Sequence, residues 1–534
     1  MYCQIETLRR CFPASIRRIL DELPVTLDGT YEQTLRMIDK QKWDYANRLF
    51  QCLVVSKRPL RVEELAELFA VQPNVETIPT FDASLRPTNP EEFVLLACST
   101  LVTVVNVAGK KIVQFSHFSV REYLTSPRLA ISKHVSRFHI PLRPAHSLLA
   151  TACLSILLQL NDQVDMENIR NFPLALYAAQ YWVDHAQFKD VSSEIQHGMK
   201  CLFDKNKPHF AAWLWLHNID DPYPFAAGSL RPAQPYTTPL YYAALCGFPD
   251  ITEHLVDTRP QDVHARGGKR VTPVHAALDK GHLGVAMLLL ERGADMGSRD
   301  SQGQTPLHIA VYRGYAEVVS LLIDRGADLN AEGSNRETSL YLALKEGRRD
   351  IARLLLEHKA DVNHPEKHGL TPLHHALLHG HNDIVQLLLD HGAIMDVRDD
   401  RSLTPLHHAS MGGLNDIVQL LLDRGADANL RGDRGFTALH HASVRGLNDI
   451  VQLLLDRGAD TNCEDCRGWT PLHHVSHRGL NDTAQLLLKY GAVTSPPEIC
   501  VLTPLHLASL RGNNGTVQLL LDHGKVANHP GSRD

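Results

Sequence analysis

Pairs of adjacent histidines recur at a fixed spacing in the C-terminal half of this 534-residue chain, which contains 31 histidines in all. The pairs are His374-His375, His407-His408, His440-His441 and His473-His474. An imidazole can bind a metal ion, transfer a proton or respond to pH near neutrality. Packed helices lie about 8–10 Å apart, which is too far for equivalent histidines to share a zinc ion at nitrogen distances of about 2 Å. We therefore predict no row of metal sites, and we expect the first histidine of each pair to make structural hydrogen bonds.

Cys463 and Cys466 have the C-x-x-C spacing of a zinc-binding pair, and His474 and His477 follow them. A zinc site of this kind needs a second pair of ligands at finger-like spacing. Here the cysteines are predicted on a hairpin loop and the histidines on the next helix. The chain also lacks the P-loop pattern G-x-x-x-x-G-K-[ST], the nucleophile motif G-x-S-x-G and the zinc-protease motif H-E-x-x-H. We predict no metal, no cofactor and no catalytic residues, and therefore no enzyme.

Composition and charge narrow the class of protein further. Hydrophobic residues make up 44% and charged residues 21% of the chain, which is typical of a globular protein. The formal net charge of −6 gives no indication of a nucleic-acid or membrane partner. Ten scattered cysteines, and a first segment without an apolar signal sequence, favour a reducing, cytoplasmic location. The longest apolar stretch, 148–158, is shorter than a membrane span of about 20 residues, so we predict a buried helix there.

The elements that position these residues follow from an internal repeat. The string T-P-L-H or a close variant recurs nine times, first after 34 residues and then at seven intervals of 33 residues. A constant period of this length is typical of stacked helical repeats. The nine threonines are Thr238, Thr272, Thr305, Thr338, Thr371, Thr404, Thr437, Thr470 and Thr503.

One repeat illustrates the expected structure. T-P-L-H occupies 404–407, a glycine follows at 413, an apolar helix face covers 417–422, and G-A-D occupies 425–427. Proline suits the first turn of a helix, and a glycine after the second helix suits the left-handed conformation that ends it. These strings resemble the ankyrin repeat. The resemblance implies a solenoid of helix pairs that binds other proteins, in which each unit contacts only its neighbours.

Residues that face away from the packed stripe of each repeat are the predicted partner-binding residues. The second histidine of each pair lies about 200° round the helix from the buried leucine, so we expect it to point outward. Basic residues four positions further on, and at the hairpin tips, extend the same stripe. Such a stripe favours an acidic protein partner; the alternative is a solvated face copied by duplication. The predicted residues are His375, His379, Arg401, His408, Arg434, His441, Arg445, Arg467, His474, Arg478 and Arg511.

Residues 1–237 have no repeat and are mainly helical in pattern. Helical patterns cover 15–23, 30–38, 43–55 and 62–71. Two β-type runs, 101–106 and 111–116, are joined by a loop that contains a glycine, which indicates a hairpin. Helices followed by a hairpin describe a winged helix. We predict a mainly α chain with a helical segment over 1–40, a winged-helix domain over 41–126, a helical linker domain over 127–237 and nine repeats over 238–534.

Three strings in this half resemble fungal NACHT–ankyrin proteins, which are signal-transduction ATPases. They are L-P-V-T-L-D-G-T-Y at 23–31, R-P-L at 58–60 with E-E-L at 63–65, and F-S-H-F-S-V-R-E-Y-L at 115–124. In that family a winged-helix histidine contacts the β-phosphate of bound ADP, and the matching residue is His117. The P-loop that grips the nucleotide is absent here. The resemblance therefore implies a relict contact at His117, or a nucleotide site that works only when a P-loop is supplied elsewhere.

The resemblance as a whole implies the ankyrin sensor half of a NACHT-type receptor without its ATPase core, which is a module for protein interaction and signalling. Two alternatives stay open: a free-standing ankyrin scaffold, and a subunit that acts with a separate P-loop chain. We also expect both ends of the chain to be cuts. The chain starts inside a domain in the family's order, and its last repeat, at 519–524, is as consensus-like as the internal ones.

Overall fold

The computed structural model describes residues 26–72, 80–98, 100–161, 164–165, 167–220, 237–268, 270–495 and 502–527. The predicted helix over 15–23 lies outside these residues. Helix accounts for 59% of the structure and strand for 3%, so the prediction of a mainly α fold is confirmed. The chain divides into two compact units, Met1–Asp295 and Met296–Asp534. The four domains expected from the sequence, and the boundaries between them, stay predictions.

The first unit begins with helices and short strands that alternate along the chain. Strands β1, β5 and β4 form an antiparallel sheet in that order, and β2 pairs with β3. The helices are α1 (Leu27–Arg36), α2 (Trp43–Val55), α3 (Val62–Leu68), α4 (Pro90–Cys98), α5 (Phe118–Leu124) and α6 (Pro127–Ala130). The strands are β1 (Leu60–Arg61), β2 (Val71–Gln72), β3 (Thr80–Phe81), β4 (Val102–Val107) and β5 (Lys110–Phe115).

The predicted hairpin is the pair β4 and β5, in which Val107 lies opposite Lys110. Its two turn residues, Ala108 and Gly109, have φ angles of 51° and 79°. Positive φ at both positions is the geometry of a type I′ turn, whose twist matches that of the strands. Both strands lie one residue away from the predicted runs, because the turn takes two residues rather than four.

A buried carboxylate fixes β1 against α3. Both oxygens of Glu64 accept from the guanidinium of Arg58 at 2.7 Å, and one of them accepts from Nε of Arg61 at 2.8 Å. Burial alone would raise the pKa of Glu64, but the hydrogen bonds and charge of Arg58 and Arg61 lower it. Arg58, Arg61 and Glu64 of the string R-P-L-x-x-x-E-L thus form an ionic clamp at the edge of the sheet.

Five further helices continue the first unit, and the first two repeats close it. One apolar core cluster extends from Tyr31 to Ala276. Trp182 stacks on Phe248 of the first repeat at a ring distance of 5.5 Å, and Nε2 of Gln187 donates to the carbonyl oxygen of Cys246. The helices are α7 (Leu142–Leu157), α8 (Ala175–Ala186), α9 (Val191–Glu194), α10 (Gln196–Leu202), α11 (Pro208–Leu216), α12 (Pro239–Cys246), α13 (Pro249–Thr258), α14 (Pro273–Lys280) and α15 (Leu283–Glu291).

The second unit consists of repeats three to nine, each a pair of helices. The first helices of successive repeats pack against one another, and so do the second helices. They are α16 (Pro306–Arg313), α17 (Ala316–Asp324), α18 (Ser339–Lys345), α19 (Arg349–Glu357), α20 (Pro372–Leu378), α21 (Asn382–Asp390), α22 (Pro405–Gly412), α23 (Asn415–Asp423), α24 (Ala438–Arg445), α25 (Asn448–Asp456), α26 (Pro471–Arg478), α27 (Asn481–Lys489), α28 (Pro504–Leu510) and α29 (Asn514–Ala527).

Local chemistry explains why every repeat folds in the same way. All nine repeat threonines are N-caps of the first helix of their repeat. The side chains of Thr338, Thr437 and Thr503 accept a backbone N–H group of the first turn, as an N-cap threonine commonly does. In seven of the nine repeats the next residue is proline, which has no N–H group to satisfy. Gly425 has a φ angle of 94° at the end of the second helix, as the sequence predicts.

Candidate protein-binding face

The first histidine of each repeated pair is buried, and at His374, His407 and His440 it joins one repeat to the next. In repeat six, Nδ1 of His407 accepts the backbone N–H of Thr404 at 3.1 Å and its hydroxyl at 2.8 Å. Because Nδ1 accepts, Nε2 carries the proton and donates to the carbonyl oxygen of Phe436 in repeat seven. Burial lowers the pKa of His407 to about 4, so the ring is neutral. The predicted structural role is confirmed, and the same bonds recur at His308, His374 and His440.

The second histidine of each pair does not point outward, and that prediction is wrong. His375 is 8% exposed, the side chains of His408 and His474 are 12% and 14% exposed, and His441 is half-buried. A prediction from the angle round a single helix takes no account of the neighbouring repeat. Because first helices of successive repeats lie side by side, this position faces the adjacent helix, and the ring of His408 lies 5.4 Å from that of His374.

Two of these histidines are held by a carboxylate from the hairpin before their helix. Nε2 of His408 lies 3.0 Å from Oδ2 of Asp399, and Nε2 of His474 lies 2.8 Å from Oδ2 of Asp465. Asp399 also accepts two backbone N–H groups of its own hairpin. Burial alone would raise the pKa of Asp399, but these hydrogen bonds, first the one from His408, lower it. The two carboxylates therefore connect each hairpin to the helix that follows it. The Nε2 atoms of His408 and His474 are engaged in these contacts and are not free to bind a partner.

His441 has no such carboxylate partner, because Gly432 stands where the equivalent hairpins have Asp399 and Asp465. In the part of the chain that the structure describes, Nε2 of His441 is buried and has no hydrogen-bond partner. The ring of Phe436 lies 5.2 Å from its ring. Burial and the neighbouring imidazoles lower the pKa of His441 to about 3. The side chain is neutral and contributes no positive charge to the surface.

Seven of the predicted residues are exposed. Four of them occupy the eighth position after the repeat threonine, at the end of the first helix, and form what we call the cationic row. The other three lie at hairpin tips, where the charge is mixed, because a carboxylate of Asp433 lies 3.8 Å from Arg434. The cationic row is His379, Arg445, Arg478 and Arg511, and the hairpin residues are Arg401, Arg434 and Arg467.

A second row lies directly beside the first, at the seventh position after the threonine, and sequence reasoning missed it. We call it the apolar row: Leu378, Met411, Val444 and Leu510, with His477 in place of an apolar residue in repeat eight. Leu378 is 53% exposed and Leu510 is 72% exposed, while the other two are half-buried. Exposed apolar side chains that recur on one surface are typical of an interaction site.

A signal for the two rows was present in the sequence. The second helices over 382–390, 415–423 and 448–456 have the identical sequence N-D-I-V-Q-L-L-L-D. In the same three repeats the seventh and eighth positions read L-H, M-G and V-R. Repeats that share their packed residues but differ at two exposed positions present different chemistry to a partner at each step.

Hydrogen bonds orient two arginines of the cationic row across the preceding repeat. Nη1 of Arg445 donates to the carbonyl oxygen of Met411 at 2.7 Å, and Nε of Arg511 donates to Nε2 of His477 at 2.9 Å. Among the described residues, the guanidinium groups of Arg401 and Arg478 make no hydrogen bond or ion pair. Neither row contains a carboxylate in repeats five to nine. The rows therefore offer uncompensated positive charge beside apolar surface.

A cavity of about 410 Å³ opens beside the start of these rows. Its lining combines the apolar side chains of Leu370 and Leu378 with Arg401 and the Asp399–His408 pair. The cavity is large enough for one apolar side chain of a partner. Its rim carries Asp400 beside Arg401, so the charge there is mixed.

Cys463 is buried and Cys466 is exposed, and the described part of the chain contains no group of three His, Cys, Asp or Glu side chains placed to hold a metal ion. No helix within it has the length and apolar character needed to cross a bilayer.

His117 lies in the first unit, between β5 and α5, and caps the N-terminus of α5. Its Nδ1 accepts the backbone N–H of Ser119 at 3.3 Å and lies 2.6 Å from the hydroxyl of that serine. The serine hydroxyl in turn lies 2.7 Å from that of Tyr31. The imidazole is exposed beside Phe118, which is 72% exposed. The ring is thus oriented by protein contacts and open on its outer side.

Known proteins that this chain resembles include two curated relatives and a solved structure. Azaphilone pigments biosynthesis cluster protein L from Monascus ruber is 30% identical over 297 residues, which cover 52% of this chain and 61% of that protein. Alpha-latrocrustotoxin-Lt1a from Latrodectus tredecimguttatus is 40% identical over 57 residues, which cover 11% of this chain and 4% of the toxin. The chain therefore spans less than two thirds of the length of these relatives.

The ankyrin repeat domain of Bcl-3, described as a unique member of the IkappaB protein family, is 33% identical and covers 41% of this chain and 100% of its own, with a TM-score of 0.38. The family model of ankyrin repeats in three copies matches seven overlapping segments. They are 214–300, 240–333, 275–366, 330–399, 358–432, 393–465 and 439–530. Together these segments cover more than half of the chain, and they contain every repeat described above. The chain belongs to the ankyrin repeat family.

Proposed function

We propose that this protein is a regulatory interaction module that binds an acidic protein partner on the apolar and cationic rows of repeats five to nine. The ankyrin repeat fold is a non-enzymatic interaction scaffold, which supports the general class. The observation that carries the specific proposal is the absence of any carboxylate from two adjacent exposed rows that hold three arginines.

Physical chemistry favours this face over the rest of the repeats. Apolar side chains supply most of the binding free energy when a partner covers them, and charges beside them set orientation and association rate. On the opposite side, by contrast, arginines of the second helices are already paired with the repeat before. Arg424 contacts Asp390 and Arg457 contacts Asp423, so those cations are compensated within the protein.

Reversal of the cationic row is expected to abolish binding of the native partner. The variant Arg445→Glu/Arg478→Glu/Arg511→Glu should lose at least about tenfold in affinity, which is about 1.4 kcal/mol, because acidic groups then face acidic groups. The measurement is quantitative co-purification from the native cell extract, followed by titration of the purified pair. The control is Arg353→Glu/Lys359→Glu/Lys367→Glu, which makes the same change of charge at exposed positions outside both rows. Equal recovery of the partner with both variants would contradict the proposal.

We further propose that the module is the sensor half of a NACHT-type receptor and acts in the cytoplasm. The motif residues that resemble that family occupy adjacent elements of the first unit: the ionic clamp of Arg58 and Glu64, the β4–β5 hairpin, and His117 at the start of α5. An imidazole that is oriented by Ser119 and open on its outer side, with the exposed Phe118 beside it, supports a contact with a further domain.

The mass of the endogenous protein tests this second proposal. An antibody against the repeats should detect a polypeptide far above 59.6 kDa, the mass of the present chain, because a receptor also needs a P-loop domain. A single species near 59.6 kDa with no co-purifying ATPase would contradict the receptor proposal and favour a free-standing scaffold. A species of that mass that co-purifies with a P-loop protein would instead support the two-chain alternative.

A further inference from the structure

Repeats six and eight contain the same histidine–aspartate pair, which we call the imidazole wall. In repeat six, Nε2 of His408 lies 3.0 Å from Oδ2 of Asp399, and in repeat eight Nε2 of His474 lies 2.8 Å from Oδ2 of Asp465. Backbone N–H groups of each hairpin donate to the other oxygen of the carboxylate. The chain thus has two copies of one oriented wall, and their surroundings can be compared directly.

Aromatic side chains surround the imidazole wall of repeat eight. The ring of Phe436, from repeat seven, lies 4.9 Å from that of His474, and the two planes meet at 67°. Aromatic pairs favour this edge-to-face arrangement. The ring of Trp469 lies 5.1 Å from the same imidazole. His474 therefore has two aromatic neighbours supplied by the chain itself.

Leucine replaces both aromatic residues around the imidazole wall of repeat six. The residue before the repeat threonine is leucine in repeats five and six but aromatic in repeats seven and eight; these residues are Leu370, Leu403, Phe436 and Trp469. Leu370 and His408 line the cavity of about 410 Å³. That volume lies within the range of about 300–1,000 Å³ that is usual for ligand pockets. The ring that covers the wall of repeat eight thus has no counterpart at position 370, where the structure has a cavity.

We propose that the cavity between repeats five and six binds an aromatic side chain of the partner, which lies against His408 as Phe436 lies against His474. The inference deepens the proposed function, because it names one anchoring side chain of the same partner. The chain's own ring at the equivalent place indicates the chemistry of the occupant. An aliphatic side chain also buries apolar surface, but it lacks the edge-to-face contact with the imidazole.

The lining of the cavity suits a ring that enters from the partner. Leu370 is half-buried and Leu378 is 53% exposed, so both offer apolar surface. His408 is already oriented by its carboxylate, and an oriented side chain loses little entropy on binding. Asp400 and Arg401 on the rim carry opposite charges, so the cavity itself favours an apolar group. Aromatic anchors in such pockets carry much of the binding free energy of protein interfaces.

Saturation-transfer NMR on the full chain tests the cavity with a small probe. N-acetyl-phenylalaninamide is compared with N-acetyl-leucinamide at equal concentration, and we expect the stronger signal from the phenyl protons. Leu370→Phe should lose the phenyl signal, because the new ring takes the place that Phe436 has at the wall of repeat eight. Leu502→Phe makes the same substitution at the equivalent position of repeat nine. It is the matched control and should keep the signal.

Exchange of the two residues supplies a second test that does not depend on loss alone. The variant Leu370→Phe/Phe436→Leu uncovers the imidazole wall of repeat eight and should regain the phenyl signal. Circular dichroism verifies that each variant is folded. Absence of the signal in this double variant would show that the two walls are not equivalent and would overturn the inference. An unchanged signal in Leu370→Phe, or equal signals from the two probes in the unsubstituted chain, would overturn it as well.

Affinity for the native partner separates this inference from the proposed function. Leu370→Phe is expected to weaken binding about tenfold, as loss of an anchor does, whereas Leu502→Phe leaves it unchanged. If Leu370→Phe binds as tightly as the unsubstituted chain while the reversal of the cationic row abolishes binding, the inference falls and the proposed function stands. If Leu370→Phe weakens binding while the reversal has no effect, the cavity is supported and the acidic-partner function falls.

Discussion

Acidification from pH 7 to pH 5.5 is expected to cost this protein much of its free energy of unfolding. The cause is a set of buried histidines that stay neutral in the folded chain but bind protons once unfolded. Their pKa values fall from 6.5 to about 3 or 4, with burial as the largest cause in each case. They are His146, His185, His374, His375, His407, His440, His441 and His473.

The direction of the effect follows from proton linkage. A histidine whose pKa is lower in the folded state contributes stability that is fully present above 6.5 and is lost as the pH falls toward the folded value. Between pH 7 and pH 5.5 each such residue removes about 1.2 kcal/mol, from the protonation of the unfolded chain. Even half of this effect over eight residues amounts to about 5 kcal/mol, which is comparable to the whole stability of many domains.

Hydrogen bonds in the first unit add a structural reason for this sensitivity. His185 is fully buried, and its two nitrogens lie 2.9 Å from Nδ1 of His146 and 2.9 Å from the hydroxyl of Tyr177. The same hydroxyl accepts the backbone N–H of Lys57. One of the two facing Nδ1 atoms donates and the other accepts. An extra proton on the accepting ring places two N–H groups against each other, so that ring must stay neutral for the contact to persist.

Urea denaturation midpoints at a series of pH values between 7.5 and 5.5 measure this effect. The double variant His375→Leu/His441→Leu should stay folded and depend less steeply on pH, because Leu342 and Leu507 occupy the same position in repeats four and nine. His379→Gln, which removes an exposed imidazole, is the matched control. A midpoint that does not change over this pH range, or an unaltered slope in the double variant, would contradict the prediction.

Replacement of Trp182 by alanine is expected to destabilise the first unit by about 3–5 kcal/mol, the usual cost of a large aromatic residue removed from a core. Trp182 is fully buried and contacts Trp213 at 5.2 Å and Phe248 at 5.5 Å. Phe248 is the N-cap of the second helix of repeat one. The substitution therefore opens a cavity between α8 and the first repeat, which otherwise has no preceding repeat to cover it.

Hydrogen exchange localises the effect. Protection of 239–258 should fall in Trp182→Ala, whereas protection of 415–456 should stay as it is, since each repeat is stabilised mainly by its neighbours. The control is Leu176→Ala on the same helix, where the side chain is 46% exposed and the expected change is within about 0.5 kcal/mol. Equal hydrogen exchange of 239–258 in both variants would mean that Trp182 does not stabilise the first repeat.

These residues also show how far the sequence alone reaches. The prediction of a helix over 43–55 is confirmed at both ends, and the β4–β5 hairpin lies within one residue of its predicted strands. Each depends on contacts between residues close in sequence: an apolar period for α2, and two turn residues with positive φ for the hairpin. The winged-helix domain and the partner-binding role of the repeats, by contrast, stay predictions.

The sequence by itself determined the repeats, because threonine caps, proline and terminal glycine act on backbone groups within four residues of themselves. It also determined the structural role of the histidine in T-P-L-H, whose bond to threonine is local. Only the tertiary structure decided that His375 and His408 are covered, that Leu378 and Leu510 form an exposed row, and that Trp182 covers the first repeat. Each of these depends on a neighbouring helix, and the angle of a residue round its own helix gives no information about that neighbour. Burial is a property of packed elements and not of one helix.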